Sequence, residues 1–433
     1  MALMTSQAES AEVAPAQDLR VFVFALFFTF GGITSLNDVI IPKLKALFTL
    51  SYAEAMLVQS AFFAAYFIIS LPAAKIVKKF GYMRTAVIGL VTMTIGCLLF
   101  VPASASGLFG MFLFALFVLA AGITTVQVVA NPLISILGNP ATAHSRLTFA
   151  QAFNSLGTTV FPYVGSILIL GSIATVDSTT LSGAALDAFR GMETRVVEHT
   201  YLGLAAALLL VAIIVWMNRK RLVETQGSQT SLWDGFALLA RPRFGFGALC
   251  IFLYVGAEVA IGSVIVNFLM QSSVMGIGAQ GAGKLVPFYW GGAMAGRFIG
   301  AYFLKIFSPG KVLACVNAAA IVLLLISANN AGSISGWALL AIGLCNSIMF
   351  PTIFSLASEQ LGNRTAEGSG IICMAIVGGA IVPVITGRVA DLTNLKFALA
   401  VPALCYACIL GFGWYSRRPA RELDLIRRYD AAS

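Results

Sequence analysis

Twelve apolar runs, each about as long as a bilayer is thick, recur along this chain and constrain its fold more than any other feature. They lie near residues 20–42, 55–77, 84–104, 107–138, 146–172 and 197–217, and after a polar stretch near 243–272, 283–305, 310–328, 333–358, 367–389 and 396–416. A hydrocarbon core takes about 20 residues of helix to cross. Inside it every backbone polar group must find its partner within the protein, which favours helices for continuous apolar runs. Composition agrees: 10% of the 433 residues are charged and 59% are hydrophobic, against about 25% charged in soluble domains. So few charges cannot cover a soluble surface. The chain reads as an all-α membrane protein with twelve transmembrane helices.

The runs divide the chain into a short N-terminal tail over 1–19, a six-span block over 20–217, a linker over 218–242, a second six-span block over 243–416 and a tail over 417–433. Residues 1–18 are small and polar, without the basic start and apolar centre of a signal peptide. An even number of spans puts both ends on one side. With both ends cytoplasmic, 19 Lys and Arg residues fall inside, 7 fall outside and Arg297 lies within a span. That bias is the positive-inside pattern. It accounts for the net charge of +9 without nucleic-acid binding.

The two blocks carry matching landmarks. Asn131-Pro132-Leu133-Ile134-Ser135 in the fourth run is similar to Phe350-Pro351-Thr352-Ile353-Phe354 in the tenth, an offset of 219 between prolines. Gly157 precedes Pro162 by five residues as Gly378 precedes Pro383, an offset of 221 between those prolines. Two offsets near 220 point to duplication of a six-helix unit, a common construction among transporters.

Function in such a chain is written in its intramembrane polar groups, since a carboxylate at a helix centre costs about 2.5–3.5 kcal/mol on insertion scales. Asp38 lies in the first run, in Gly31-Gly32-Ile33-Thr34-Ser35-Leu36-Asn37-Asp38. Partial burial would raise its pKa towards neutrality and suit it to proton coupling. Alternatively it sits at the outer mouth of the helix and pairs with Lys43 or Lys45. Glu258 follows Asp38 by 220 residues, so the two carboxylates occupy related places in the repeats. Glu258 suits cation or sugar binding, or is neutralised by a structural partner. Arg297 either snorkels to the inner face or pairs with a carboxylate in a gate.

Gln59, Gln127, Asn131, Gln151, Asn154, Asn267 and Asn346 add amides to spans two, four, five, seven and ten. Amides donate and accept, which matches a polyhydroxylated ligand; joining helices is their competing use. Tyr289 and Trp290 are placed to stack on a sugar ring or to anchor the span at an interface. The seven cysteines, Cys97, Cys250, Cys315, Cys345, Cys373, Cys405 and Cys408, all lie in apolar runs and behave as small hydrophobes. His144 and His199 lie near span ends, so no metal site is expected. No phosphate loop, His-Glu-x-x-His motif or serine elbow is present, which argues against an ATP-driven pump and against an enzyme.

Taken together, Ser35-Leu36-Asn37-Asp38 with Pro42, Asn131-Pro132, Ala150-Gln151-Ala152-Phe153-Asn154-Ser155-Leu156-Gly157, Pro351-Thr352-Ile353-Phe354-Ser355-Leu356 and Val377-Gly378-Gly379-Ala380-Ile381-Val382 resemble the fucose–galactose–glucose:proton symporters. These are a branch of the major facilitator superfamily, and the resemblance covers nearly the whole chain. Tyr254-Val255-Gly256-Ala257-Glu258 through Asn267 looks most like the glucose/galactose members. The resemblance implies the major facilitator fold: twelve helices in two pseudo-symmetric six-helix bundles around a central sugar cavity. It implies a secondary active transporter of a neutral hexose, glucose, galactose or fucose, working by alternating access. Asp38 matches one of the family's two coupling carboxylates. The other falls at Gln127, which can bind sugar but cannot relay a proton. Gln151 matches a sugar-binding glutamine.

The expected substrate-binding set is therefore Ser35, Asn37, Gln59, Gln127, Asn131, Gln151, Asn154, Glu258, Asn267, Tyr289 and Asn346. Asp38 and Glu258 are the proton-coupling candidates, and Arg297 is a gate or structural residue. No cofactor is expected; the coupling ion is H+, with Na+ or an uncoupled carrier as the alternative that Gln127 motivates. The expected partners are a hexose and the lipid bilayer of the inner (plasma) membrane, with no nucleic acid, and the chain is expected to act as a monomer. A channel would build its pore from rings of subunits or short helices, whereas two repeats suit a carrier.

Overall fold

The computed structural model describes residues 19–36, 52–165, 183–220 and 232–418. Asn37 and Asp38, at the end of the first apolar run, lie outside them, and nothing is described of the Gln59 side chain. All regular elements among the described residues are helical, as twelve apolar runs require. Among the described residues ten helical stretches are long and apolar enough to cross a membrane. The remaining two runs form the helices Ala143–Gly165, of 23 residues, and Val286–Ile306, of 21 residues. Their length suffices. They are less apolar because they carry His144, Arg146, Gln151 and Asn154 in one and Arg297 and Lys305 in the other.

The described residues cluster into two compact units. One takes in residues 1–133 and 153–230; the other takes in residues 134–152 and 231–433. The sequence blocks 20–217 and 243–416 follow the apolar runs, whereas the stretch 134–152 packs with the later residues. Local chemistry accounts for that. Arg146 closes the end of the fourth span by donating to the Ile134 carbonyl at 3.3 Å and to Ser135 O at 2.7 Å, carbonyls that a helix end leaves without donors, and it reaches Asn139 O in the turn beyond at 2.7 Å. The next span then begins with residues that bond elsewhere in the second unit. His144 Nδ1 lies 2.6 Å from Ser355 Oγ, Ser145 donates to Ala301 O at 2.6 Å, and the Phe149 and Phe298 rings meet edge to face at 6.0 Å.

Each unit repeats one helix crossing, and glycine makes it possible. In the first unit a Cβ on Gly157 would collide with the Phe28 carbonyl of the first span. In the second a Cβ on Gly378 would collide with the Phe252 carbonyl of the seventh. Gly31 and Gly32 face the fifth span at Asn154 and Phe161, as Gly256 faces the eleventh at Val382 and Gly378. Small residues that let two backbones approach are the usual glue of membrane helices. The crossings of spans one and five and of spans seven and eleven are thus built alike, at the glycines whose spacing suggested duplication.

A proline lies at the break of the tenth span, where polar groups gather. The tenth span is two helices, Gly332–Asn346 and Met349–Ala357. Pro351 has no N–H, so the Ser347 carbonyl four residues earlier loses its helical donor. Asn346 closes the first helix, where carbonyls are also left over. The eleventh span is also two helices, Thr365–Ala375 and Gly378–Leu392, with Pro383 inside the second.

Candidate functional site

In the first unit the polar groups gather on one face of the fourth span. Gln127 and Asn131, one helical turn apart, are both buried in the helix Phe109–Ile136. The Tyr66 hydroxyl of the second span donates to Gln127 Oε1 at 2.8 Å. Gln127 Oε1 therefore faces the phenol and its Nε2 amine is the other half of the group. Asn154, half-buried in the fifth span, donates to the Phe27 carbonyl at 3.3 Å. The Phe24 and Phe153 rings stack beside it at 5.0 Å. Ser35 donates back to Gly32 O at 2.8 Å within its own helix.

In the second unit a denser array surrounds the break in the tenth span. A Cβ on Gly343 would collide with the Tyr289 carbonyl, so the eighth and tenth spans touch there, and Asn346 lies one turn further along. Three tyrosines from three other spans converge on that residue. Tyr406 donates to Asn346 Oδ1 at 2.7 Å, Asn346 Nδ2 donates to the Tyr289 hydroxyl at 2.8 Å, and Tyr254 donates to the Asn346 carbonyl at 3.2 Å. The Tyr289 hydroxyl in turn donates to the Glu258 carbonyl at 3.2 Å. Asn346 and the three tyrosine rings are fully buried, and Glu258 is half-buried.

Glu258 lies one turn beyond Tyr254 in the helix Pro242–Met270, and Arg297 stands in the helix Val286–Ile306. Arg297 uses the freed backbone. Its Nε donates to Ser347 O at 3.2 Å and its Nη1 to Gln151 O at 3.2 Å. Gly296, its neighbour, faces Ser347, which brings the guanidinium to that carbonyl. Arg297 thus lies away from simple snorkelling: it holds two backbone carbonyls. A guanidinium suits this, since its donors diverge in one plane and its charge is permanent.

The sequence candidates thus fall into separate groups. Gln127 and Asn131 share a face, Asn154 and Ser35 bond within the first unit, and Glu258, Tyr289, Asn346 and Arg297 form one array with Gln151 at its margin. Asn267 stands apart, exposed near the end of the helix Pro242–Met270. Trp290 is 46% exposed, whereas Tyr289 beside it is buried with its hydroxyl engaged. Tyr66, Tyr254 and Tyr406 were not singled out in the sequence. Tyr254 had a signal: it lies one turn before Glu258, on the same face. For Tyr66 and Tyr406 the signal is a phenol deep in an apolar run, which usually finds a partner.

A second cluster lies at the end of the tenth span. Glu359 accepts from Arg243 Nη2 at 2.6 Å and lies 3.4 Å from His144 Nε2. Arg243 also donates to Leu356 O at 3.0 Å and to Arg418 O at 3.0 Å. Among the described residues no group of three His, Cys, Asp or Glu side chains is placed to hold a metal.

Comparison with known proteins gives the context for these arrays. Residues 22–383 match the Major Facilitator Superfamily. A glucose/galactose transporter of Brucella abortus (strain 2308) is 49% identical over 389 residues, which cover 90% of this chain and 91% of that protein. The L-fucose-proton symporter of Escherichia coli (strain K12) is 34% identical over 413 residues, covering 92% of each. The crystal structure of the transporter FucP in the outward conformation superposes with a TM-score of 0.86 at 32% identity, covering 93% of this chain and 99% of that one.

Proposed function

The chain belongs to the Major Facilitator Superfamily, and from that premise we propose that it carries a neutral hexose, glucose or galactose, across a membrane by proton symport. The observation that carries this reading is the near-full-length similarity to a glucose/galactose transporter and to an L-fucose-proton symporter. The chemistry of the arrays supports it. A hexose offers hydroxyls that both donate and accept, and Gln127, Asn131 and the Glu258–Asn346 array offer amide, phenol and carboxyl groups of the same versatility. Binding by many neutral hydrogen bonds also suits release, since no single contact dominates.

Transport proceeds by alternating access. Asp38 and Glu258 are the carboxyls available for proton coupling, while Gln127 contributes hydrogen bonds only. Arg297, which holds the Ser347 and Gln151 carbonyls, fits a gate or structural role. No cofactor takes part; the coupling ion is the proton. The bacterial relatives support a place in the inner (plasma) membrane, and the charge bias of the loops supports cytoplasmic ends. The carrier acts as a monomer.

Uptake into proteoliposomes tests this. Hexose uptake should rise with an inward proton gradient, and Asp38→Asn should abolish the rise. A rise that survives the substitution removes Asp38 from coupling. A second reading, sodium-coupled or uncoupled hexose transport, rests on Gln127 standing where the symporters carry a second carboxylate. Replacing sodium with choline separates the two: a fall in uptake favours sodium coupling.

A further inference from the structure

Tyr406 is a fully buried phenol in the last span, and neither transport nor packing alone accounts for where its hydroxyl goes. Burying a hydroxyl is favourable only when it is bonded. Its partner, Asn346, sits 60 residues earlier and is the point on which three tyrosines converge. The directions of the bonds in this chain are set by chemistry. The Glu258 carbonyl only accepts, so the Tyr289 hydroxyl must spend its proton there. Tyr289 must then accept from Asn346, which places Nδ2 towards Tyr289 and Oδ1 towards Tyr406. Tyr406 completes the sequence as a donor. Bonds aligned in one direction in a dry interior strengthen one another.

One of the three tyrosines returns to Glu258: Tyr289 reaches its backbone carbonyl, while Tyr254, one turn before Glu258 on the same helix, donates to the Asn346 backbone. Tyr406 is the tyrosine that donates to the hub's side-chain oxygen. Without its donated proton the Asn346 amide loses the contact that fixes which way it faces, and Tyr289 loses a defined donor.

We propose that Tyr406 is a positioning residue for transport, fixing the Asn346 amide and, through Tyr289, the place of Glu258. The inference rests on the proposed participation of Glu258 in sugar or proton binding. Its consequence is a specific coupling between residues in the seventh and twelfth spans, whose side chains are joined through the eighth and tenth.

A double-mutant cycle tests it, read as KM and maximal rate for galactose uptake into proteoliposomes, with thermal unfolding in detergent as the control for folding. Tyr406→Phe keeps the ring and removes the hydroxyl; it should raise KM about five- to tenfold, the scale of one lost hydrogen bond, with little change in maximal rate. In the Glu258→Gln background the same substitution should change KM less than about twofold, because the two residues act through one network. Should Tyr406→Phe not fold, Tyr289→Phe cuts the same chain beside Glu258 and should show the same dependence on background. A full-size effect of the phenylalanine variant in both backgrounds overturns the positioning role and leaves the reading of Glu258 standing. Wild-type uptake and proton response in Glu258→Gln alone overturns that reading itself.

Discussion

The Tyr66 hydroxyl donates to Gln127 Oε1 at 2.8 Å, linking the second and fourth spans at the position where a carboxylate was expected. The bond shows how a neutral amide is held where an acid would need a proton or a counter-charge to be buried. Gln127→Glu reinstates the acid with the same length and shape. Its carboxyl should take a proton when buried, so the variant should respond more steeply to an inward proton gradient than the parent while retaining a hexose KM within a few-fold. Tyr66→Phe, which leaves Gln127 Oε1 without that donor, should raise KM about fivefold. Proteoliposome uptake at fixed gradients checks both.

Pro351 and Arg297 form a second testable pair. The proline frees the Ser347 carbonyl, and the arginine takes it. Pro351→Ala returns a backbone donor to that carbonyl and puts it in competition with Arg297. The variant should unfold no earlier than wild type in detergent, yet transport more slowly. Arg297→Lys keeps the charge but loses the planar fork that reaches both Ser347 O and Gln151 O. It should lose about 1–3 kcal/mol of stability, seen as a lower unfolding temperature.

The duplicated crossings predict paired effects. Gly157→Ala and Gly378→Ala each drive a methyl into a backbone carbonyl of a neighbouring span, so each should cost about 1–3 kcal/mol or prevent folding. Gly203→Ala, in a helix position with open space around it, should be neutral or stabilise by about 0.5–1 kcal/mol. Yields of monodisperse protein and unfolding temperatures make the comparison.

Glu359 joins Arg243 and His144 at the end of the tenth span. The Arg243 and Glu359 side chains are largely shielded from solvent, so removing the carboxylate leaves a nearly buried guanidinium without its ion-pair partner. Glu359→Ala should therefore destabilise by about 1–3 kcal/mol, below the range for a fully buried pair because the site is partly open. Exchange of the pair, with Arg243→Glu and Glu359→Arg combined, should recover part of that loss in thermal unfolding.

Much of this architecture was legible in the sequence because its signal is local. The apolar runs marked the helices, since a bilayer imposes one length on all of them. Gly157 and Gly378 announced the repeated crossing through their fixed distance from a proline. The fourth-to-fifth turn was legible only in part: the apolar pattern placed residues 134–152 in the first block, but His144, Ser145 and Phe149 find their partners more than 140 residues later. The polar arrays were legible by residue type and not by connection. Glu258, Asn346, Tyr289 and Arg297 stood out as costly groups in apolar runs. That Tyr406 and Tyr254 complete them follows from helix packing, with bonds spanning 60 and 92 residues. A helix hydrophobic on every side carries no periodicity to show which face turns inward.

Sugar counterflow tests the account most directly. Proteoliposomes loaded with unlabelled galactose and diluted into a trace of labelled galactose, with no ion gradient, report exchange through a carrier alone. The account predicts that the label accumulates inside transiently above its outside concentration and then declines, with unlabelled glucose competing. A label that only rises to equilibrium, unaffected by the preload, would contradict a hexose carrier.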